Sequence, residues 1–105
     1  MSGTISYKEV KRRVLNTKYQ VVVYKVMSTD YRWMSDAMND TNIRDTVNTG
    51  KAVIILWEVP ETGRYCDEVV KTKDLSQNEA RSIYKEIIEC TKVSEVMDIL
   101  EKIKR

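Results

Sequence analysis

The hydrophobic pattern of the chain is centred on residues 52–57, where six apolar residues follow one another and three of them are β-branched. A strand without polar alternation has to be covered on both faces, which is typical of a central strand. Pro60 pre-sets the backbone for a turn, and Gly63 allows a left-handed conformation. We therefore expect a central strand over 52–59 and a turn over 60–63 that returns the chain as a hairpin.

Two other segments have the composition of strands. Residues 19–27 are dense in β-branched and aromatic side chains, a composition that favours a strand. Residues 64–73 are more polar and carry lysines near their end, which is typical of an edge strand. The hairpin geometry predicts that 64–73 pairs antiparallel with the central strand.

The C-terminal third has the clearest helical periodicity. Ser76 and Glu79 have the spacing of a capping box, and apolar residues follow at i, i+3, i+4, i+7 and i+8, which predicts a helix over 77–90. A second apolar series continues out of phase with the first. The phase change predicts a break at 90–92 and a separate helix over 93–104.

The N-terminal region carries a second capping box, formed by Ser6 and Glu9. Tyr7, Val10 and Val14 follow at helical spacing, so the pattern predicts a short helix over 6–15.

Residues 28–50 allow two interpretations. The first is a broken helix or two short helices, because apolar residues from Trp33 to Met38 match one helical face and Ile43 and Val47 precede Gly50. The alternative makes 31–38 an extra strand. The helical interpretation is the one that lets the two neighbouring strands run parallel through a right-handed crossover.

The predicted fold class is therefore α/β (α+β), a small three-stranded mixed sheet covered by helices in the order α-β-α-β-β-α-α. We expect residues 1–105 to form a single compact domain. The composition is 42% hydrophobic and 32% charged, which is typical of a soluble globular chain. No apolar run approaches the roughly 20 residues of a membrane helix, and no secretory leader is recognisable. We expect a cytoplasmic protein that does not enter a membrane.

The residue types argue against catalysis. The chain has no histidine, so the commonest general base is missing. Its two cysteines, Cys66 and Cys90, are too few for a zinc site, and we expect both to be buried and reduced. Asp67 and Glu68 are neighbours on a predicted strand and therefore point to opposite faces. We expect neither an enzyme nor a bound cofactor or metal.

Basic charge is concentrated at the N-terminus. Residues 1–18 carry five basic residues against one acidic residue, a net charge of +4, while the remainder carries 13 basic and 15 acidic residues. On the predicted helix most of this charge lies opposite the apolar face. A basic patch of this kind suits phosphate groups or an acidic protein. The patch consists of Lys8, Lys11, Arg12, Arg13 and Lys18.

A second candidate contact is the segment Tyr31, Arg32 and Trp33, whose residue types are enriched at protein interfaces. Alternatively, Trp33 and the nearby methionines fill the core. We expect a non-catalytic protein-binding module with an acidic partner, in the general class of phage- or mobile-element-encoded inhibitors of host enzymes such as anti-CRISPR proteins. The alternative is a nucleic-acid-binding accessory protein that uses the basic N-terminal helix. The pattern leaves the oligomeric state open.

Overall fold

The structure, a computed structural model, describes residues 4–30, 45–62 and 65–105. In them, an antiparallel sheet carries two helices on one face, so the fold is of the α+β class. The strand order is β1-β2-β3-β4, and the short strand β5 also pairs with β3. The elements in chain order are β1 (Thr4–Val14), β2 (Tyr19–Asp30), β3 (Asp45–Glu58), β4 (Asp67–Lys71), β5 (Leu75–Ser76), α1 (Gln77–Glu89) and α2 (Val93–Glu101).

The predicted central strand is confirmed in β3. It pairs with β2 on one side and with β4 and β5 on the other. Val53, Ile54 and Ile55 are all buried, so the apolar run is covered on both faces as expected. Burying a side chain of this size contributes about 1.5–3 kcal/mol. The antiparallel hairpin between β3 and β4 is confirmed as well.

The two sheet faces have different surroundings. On the helix-covered face, Ile54 and Leu56 of β3 pack with Ile87 of α1 and Val96 of α2 in the larger core cluster. On the opposite face, called here the open face, a smaller cluster of Val26, Val53 and Ile55 packs under the rings of Tyr24 and Trp57. Alternation along the strands sends successive side chains to these two faces.

Both C-terminal helices are confirmed. The predicted capping box is present. The Glu79 amide donates to the Ser76 hydroxyl, and the Ser76 amide donates to the Glu79 carboxylate, each at a distance of 3.1 Å. The break over 90–92 is present. The second helix ends at Glu101, earlier than predicted, because the residues beyond it turn back to pair with β4.

The predicted N-terminal helix over 6–15 is wrong, because this segment forms β1. Its ladder with β2 runs from Thr4 opposite Thr29 to Val14 opposite Gln20, with a bulge between Glu9 and Lys11. A helix cap contributes about 1 kcal/mol, whereas each cross-strand pair contributes about 0.2–1 kcal/mol and the ladder contains many. Tertiary pairing therefore outweighs the local helical signal.

The parallel arrangement of the two inner strands is also wrong. Strands β2 and β3 are antiparallel, from Tyr19 opposite Glu58 to Asp30 opposite Asp45. The sheet is consequently antiparallel with four strands and the additional β5, rather than mixed with three.

The expected helical turn before Gly50 is replaced by the first part of β3. Gly50 itself has φ 77° and lies where the β2–β3 register shifts between Lys25 and Met27. This left-handed conformation creates a bulge inside the strand instead of ending a helix. The helices and the alternative strand predicted within 31–44 lie outside the described residues, as does Gly63.

Candidate protein-interaction surface

Strand β1 forms one edge of the sheet. It pairs with β2, and no strand pairs with its outer side in the part of the chain that the structure describes. Apolar side chains are unusually exposed along it: Ile5 and Val14 are each 65% exposed and Val10 is 45% exposed. An open edge presents unpaired N–H and C=O groups that can pair with another chain. Among the described residues, strand β1 therefore combines unpaired backbone polar groups with accessible apolar side chains.

The opposite edge of the sheet is bridged at one end by the residues that follow α2. The backbone N–H of Lys73 donates a hydrogen bond to the carbonyl of Ile103, and the backbone N–H of Arg105 donates one to the carbonyl of Lys71. Each has a donor–acceptor distance of 2.9 Å. Thr72 forms a bridge with Lys104 between these bonds. The residues after α2 thus cover the end of β4, over residues 71–73, through one isolated bridge and two backbone hydrogen bonds. The two edges of the sheet differ in this respect.

The predicted basic patch does not form one cluster, because β1 alternates its side chains between the two faces. Arg12 lies opposite Val22, whereas Lys11 and Arg13 lie opposite Val23 and Val21. Arg12 therefore belongs to the open face, and its two neighbours belong to the helix-covered face. The two remaining members of the patch are Lys8, opposite Lys25 on the helix-covered side, and Lys18, in the turn before β2.

Arg12 is engaged with neighbours on the open face. Its Nη2 lies 2.5 Å from Oε1 of Glu9, and Nη1 donates to the side-chain oxygen of Gln20. The hydrogen bond from Arg12 lowers the pKa of the Glu9 carboxyl, and the same bond raises the pKa of Arg12. An ion pair at the surface contributes little to stability. Its main consequence is that one positive charge of β1 is balanced locally.

Arg13 supports the fold from the other face. Its guanidinium donates to the carbonyl of Ile87 over 2.7 Å and to the carbonyl of Cys90 over 3.2 Å. These carbonyls lie at the C-terminal end of α1, whose last turn contains no basic residue of its own. A cation is favourable at this end of the helix dipole. Arg13 is therefore a structural residue within β1.

A groove of about 330 Å³ runs between β1 and α1. We call it the basic groove, because Lys11, Lys25 and Arg81 contribute to its lining and none of the described lining residues is a carboxylate. Nζ of Lys11 lies 5.5 Å from the centre of the Tyr84 ring. Uncompensated charges of one sign in a concave site raise the local concentration of counter-ions. The groove also contains Val10, Val23, Asn48, Gln77 and Ala80.

Two cations of the basic groove were not found from the sequence. Lys25 follows an apolar stretch of β2, and its position opposite Lys8 depends on a register that the sequence does not reveal. Arg81 lies in the polar part of α1. The spacing of Gln77, Arg81 and Tyr84 at i, i+4 and i+7 is the signal that marks one helix face.

The open face carries a layer of aromatic side chains. The rings of Tyr7 and Tyr24 are 6.0 Å apart, and Nε1 of Trp57 donates to the hydroxyl of Tyr24 over 2.9 Å. Lys71 reaches across from β4, donates to the hydroxyl of Tyr7 over 2.7 Å and lies 4.6 Å from its ring centre. Burial raises the pKa of the Tyr24 hydroxyl. These contacts cover the smaller apolar cluster.

Beside this layer lies a shallow cavity of about 280 Å³. Its walls include Tyr24, Trp57 and Tyr65, and Tyr65 is 82% exposed. The Gln20 amide donates to Sγ of Cys66 over 3.8 Å at its rim. The cavity is mostly apolar in character, so it suits a side chain of a partner better than an ion.

The cysteines divide between surface and core. Cys90 is buried, as predicted, and burial raises the pKa of its thiol. The prediction of burial is wrong for Cys66, which is exposed and forms no disulfide bond within the described residues. Cys66 precedes β4 and lies on the rim of the shallow cavity rather than under the helices.

The potentially reactive carboxylates do not converge. Asp67 and Glu68 lie opposite successive residues of β3, Glu58 and Trp57, and so belong to opposite faces. No group of three metal-binding side chains occurs within residues 4–30, 45–62 and 65–105. In the same ranges no helix has the length and apolar character needed to cross a bilayer. The predicted contact residues Tyr31, Arg32 and Trp33 lie outside the described residues.

Comparison of the chain with protein-family models, curated proteins and solved structures gave no match.

Proposed function

We propose that the protein is a non-catalytic protein-binding module that contacts its partner through the outer edge of β1. The observation that carries this proposal is the contrast between the two sheet edges. Strand β1 extends over 11 residues and exposes apolar side chains, whereas β4 has five residues and its end is bridged by the residues that follow α2. Strand addition at an edge provides main-chain hydrogen bonds for affinity and alternate side chains for specificity.

The side chains around β1 support a protein partner. Tyrosine, tryptophan and arginine are the types most enriched among residues that dominate binding energy, and Tyr7, Arg12, Tyr24 and Trp57 all belong to the open face. The charge of Arg12 is balanced locally by Glu9, so the aromatic side chains are the main contact groups around it.

One observation favours nucleic-acid binding as a second candidate. The basic groove brings together Lys11, Lys25 and Arg81, with no carboxylate among its described lining residues. Phosphate binding there predicts a mobility shift with a single-stranded oligonucleotide at about 50 mM salt and a steep loss of affinity as salt rises. Replacing Lys11 and Arg81 by alanine is expected to remove the shift. The absence of a shift at low salt would exclude this candidate.

The narrower role, inhibition of a host enzyme by a phage- or mobile-element-encoded protein, stays a prediction from size and composition. The same is true of contacts made by Tyr31, Arg32 and Trp33. Neither is needed for the proposal about β1.

Site-specific photo-crosslinking tests the proposed function. A photoreactive amino acid is placed singly at Ile5, Val10 or Val14, and the full chain is exposed to lysate of its natural source. We expect each position to crosslink to the same protein, and excess unlabelled chain to compete. Val69 is the matched control, because it is also an exposed valine but lies on β4. Equal crosslinking from Val69, or none from β1, would contradict the proposal.

A further inference from the structure

We infer that the segment recognised by β1 is an extended strand that alternates acidic with apolar residues, and that its carboxylates enter the basic groove. This inference rests on the proposed protein-binding function and adds the chemistry of the partner.

The first argument is charge. Strand β1 contains four basic residues and one acidic residue, a net charge of +3. Arg12 is paired with Glu9 and Arg13 is bound to helix carbonyls, so Lys8 and Lys11 are the two cations of the strand that pair with no carboxylate of residues 4–30, 45–62 and 65–105. An acidic partner therefore complements the charge that the described part of the chain leaves unbalanced along this edge.

The second argument is the concentration of that charge on one side of β1. Lys8 lies opposite Lys25 in the β1–β2 ladder, an arrangement of like charges that destabilises a sheet. Lys25, Lys11 and Arg81 then line the same groove. Carboxylates placed in the groove would relieve this repulsion. The positive charge on the helix-covered side is thus explained by an anionic occupant.

The third argument is alternation. A strand added to β1 sends every second side chain to each face. Those on the helix-covered side lie beside Lys8 and Lys11 and reach the basic groove. Those on the other side lie beside Ile5, Tyr7 and Val14, which are exposed by 65%, 42% and 65%, and beside Glu9 and Arg12, whose charges balance each other. One face of the partner strand is therefore acidic and the other apolar.

Two other occupants fit less well. A second copy of β1 would place one edge of charge +3 against another, and charged edges of this kind oppose self-association. A nucleic acid would satisfy the groove, but its phosphates would leave the N–H groups and apolar side chains of the β1 edge without complementary contacts. Both occupants become outcomes of the test.

The probe is a capped, labelled peptide of about ten residues that alternates glutamate with valine, long enough to span β1. A peptide of the same composition with the glutamates and valines in two blocks is the matched control, and binding is measured by fluorescence anisotropy. We expect the alternating peptide to bind at least about tenfold more tightly than the block peptide, the equivalent of about 1.4 kcal/mol. Equal affinity would overturn the inference.

Substitutions in the full chain locate the binding site. The double variant Lys11→Glu with Arg81→Glu is expected to weaken binding of the alternating peptide by about tenfold or more, because it reverses two charges of the groove. Lys102→Glu is the control, since Lys102 is an exposed lysine at the end of α2. Circular dichroism checks that the variants are folded. An unchanged affinity in the folded double variant would overturn the inference.

Backbone methylation tests strand addition itself. Methylating the amide nitrogens of alternate residues removes the N–H donors from one edge of an extended peptide. Two peptides, methylated at odd or at even positions, keep the same charge. We expect one to lose binding by about tenfold or more and the other to retain it. If both bind equally well, the groove captures anions without strand pairing and the inference is wrong.

Two further measurements test the competing occupants: binding of a single-stranded oligonucleotide and self-association of the chain. An oligonucleotide that binds under conditions where the alternating peptide does not would replace the inference with nucleic-acid binding. Dimerisation detected by sedimentation, together with a photo-crosslink from Val10 that joins two copies of the chain, would replace it with a second copy. If photo-crosslinking at Val10 traps a protein while the peptide fails to bind, the proposed function stands and only the acidic partner is rejected.

Discussion

The guanidinium of Arg13 donates a 2.7 Å hydrogen bond to the backbone carbonyl of Ile87, which lies 74 positions further along the chain. A second bond reaches the carbonyl of Cys90. Through these contacts the edge strand supplies the cation that the C-terminal end of α1 lacks. The strand that we propose as the binding element is thereby anchored to the helix that lines the basic groove.

This anchoring predicts the effect of Arg13→Ala. The substitution leaves two part-buried carbonyls without their charged donor, so the free energy of unfolding is expected to fall by about 1–3 kcal/mol. Lys8→Ala is the control, because Lys8 is an exposed cation of the same strand, and its effect is expected to stay within about 0.5 kcal/mol. Urea denaturation of both variants gives the comparison. Equal stability would show that the Arg13 bonds make no net contribution.

The central strand provides a second prediction. Ile55 is 3% exposed and packs in the smaller apolar cluster, so Ile55→Asp buries an unpaired carboxylate. We expect a loss of about 3 kcal/mol or more in the free energy of unfolding, or no folded protein at all. The same substitution at Ile5, on the exposed edge, is expected to be nearly neutral. A stable, cooperative Ile55→Asp variant would contradict the packing described for β3.

Gly50 offers a backbone test without a change in packing. Its φ of 77° is unfavourable for residues with a Cβ, although an added Cβ would meet no atom within 4 Å. Gly50→Ala is therefore expected to destabilise the protein by about 1–2 kcal/mol through backbone strain alone. Gly50→Asn is expected to cost less, because asparagine tolerates this conformation better. Thermal denaturation distinguishes the two, and an alanine variant as stable as the parent would argue against the bulge.

The capping box of α1 makes stability depend on pH. The hydrogen bonds from the Ser76 backbone and hydroxyl lower the pKa of Glu79 in the folded state. A lowered carboxyl pKa stabilises the fold above the unfolded-state pKa of about 4.3, and this contribution is lost as the pH falls through the folded-state pKa. Glu79→Gln is therefore expected to be less stable than the parent near neutral pH and to approach it under acid conditions. A stability difference independent of pH would contradict this assignment.

The sequence predicted those elements whose surroundings are dictated by local pattern. The apolar run of β3 requires burial on both faces wherever it is placed. The Ser76–Glu79 capping box and the periodicity after it produce α1 without help from distant residues. In both cases the local preference and the tertiary environment agree, which is why these predictions are confirmed.

The prediction for the N-terminal segment is wrong because its local pattern fits both a helix and a strand. Tyr7, Val10 and Val14 have helical spacing, but the long ladder with β2 decides in favour of a strand. Once the helix is replaced by a strand, the basic residues alternate between faces instead of sharing one. The basic groove depends on a strand register and on a helix packed across it, and neither can be obtained from one sequence without pair information.

The difference between the two sheet edges limits the number of partner strands that one chain can bind. With the residues after α2 bridged to the end of β4, that edge of the described sheet is partly covered, and β1 is the longer edge that can accept a strand. A strand added to β1 becomes the new edge of the sheet. The sheet then grows no further if the outer side of that added strand cannot pair with another chain. We expect one partner segment per chain and a discrete complex of fixed stoichiometry. This arrangement favours a closed complex and does not favour the growth of fibres.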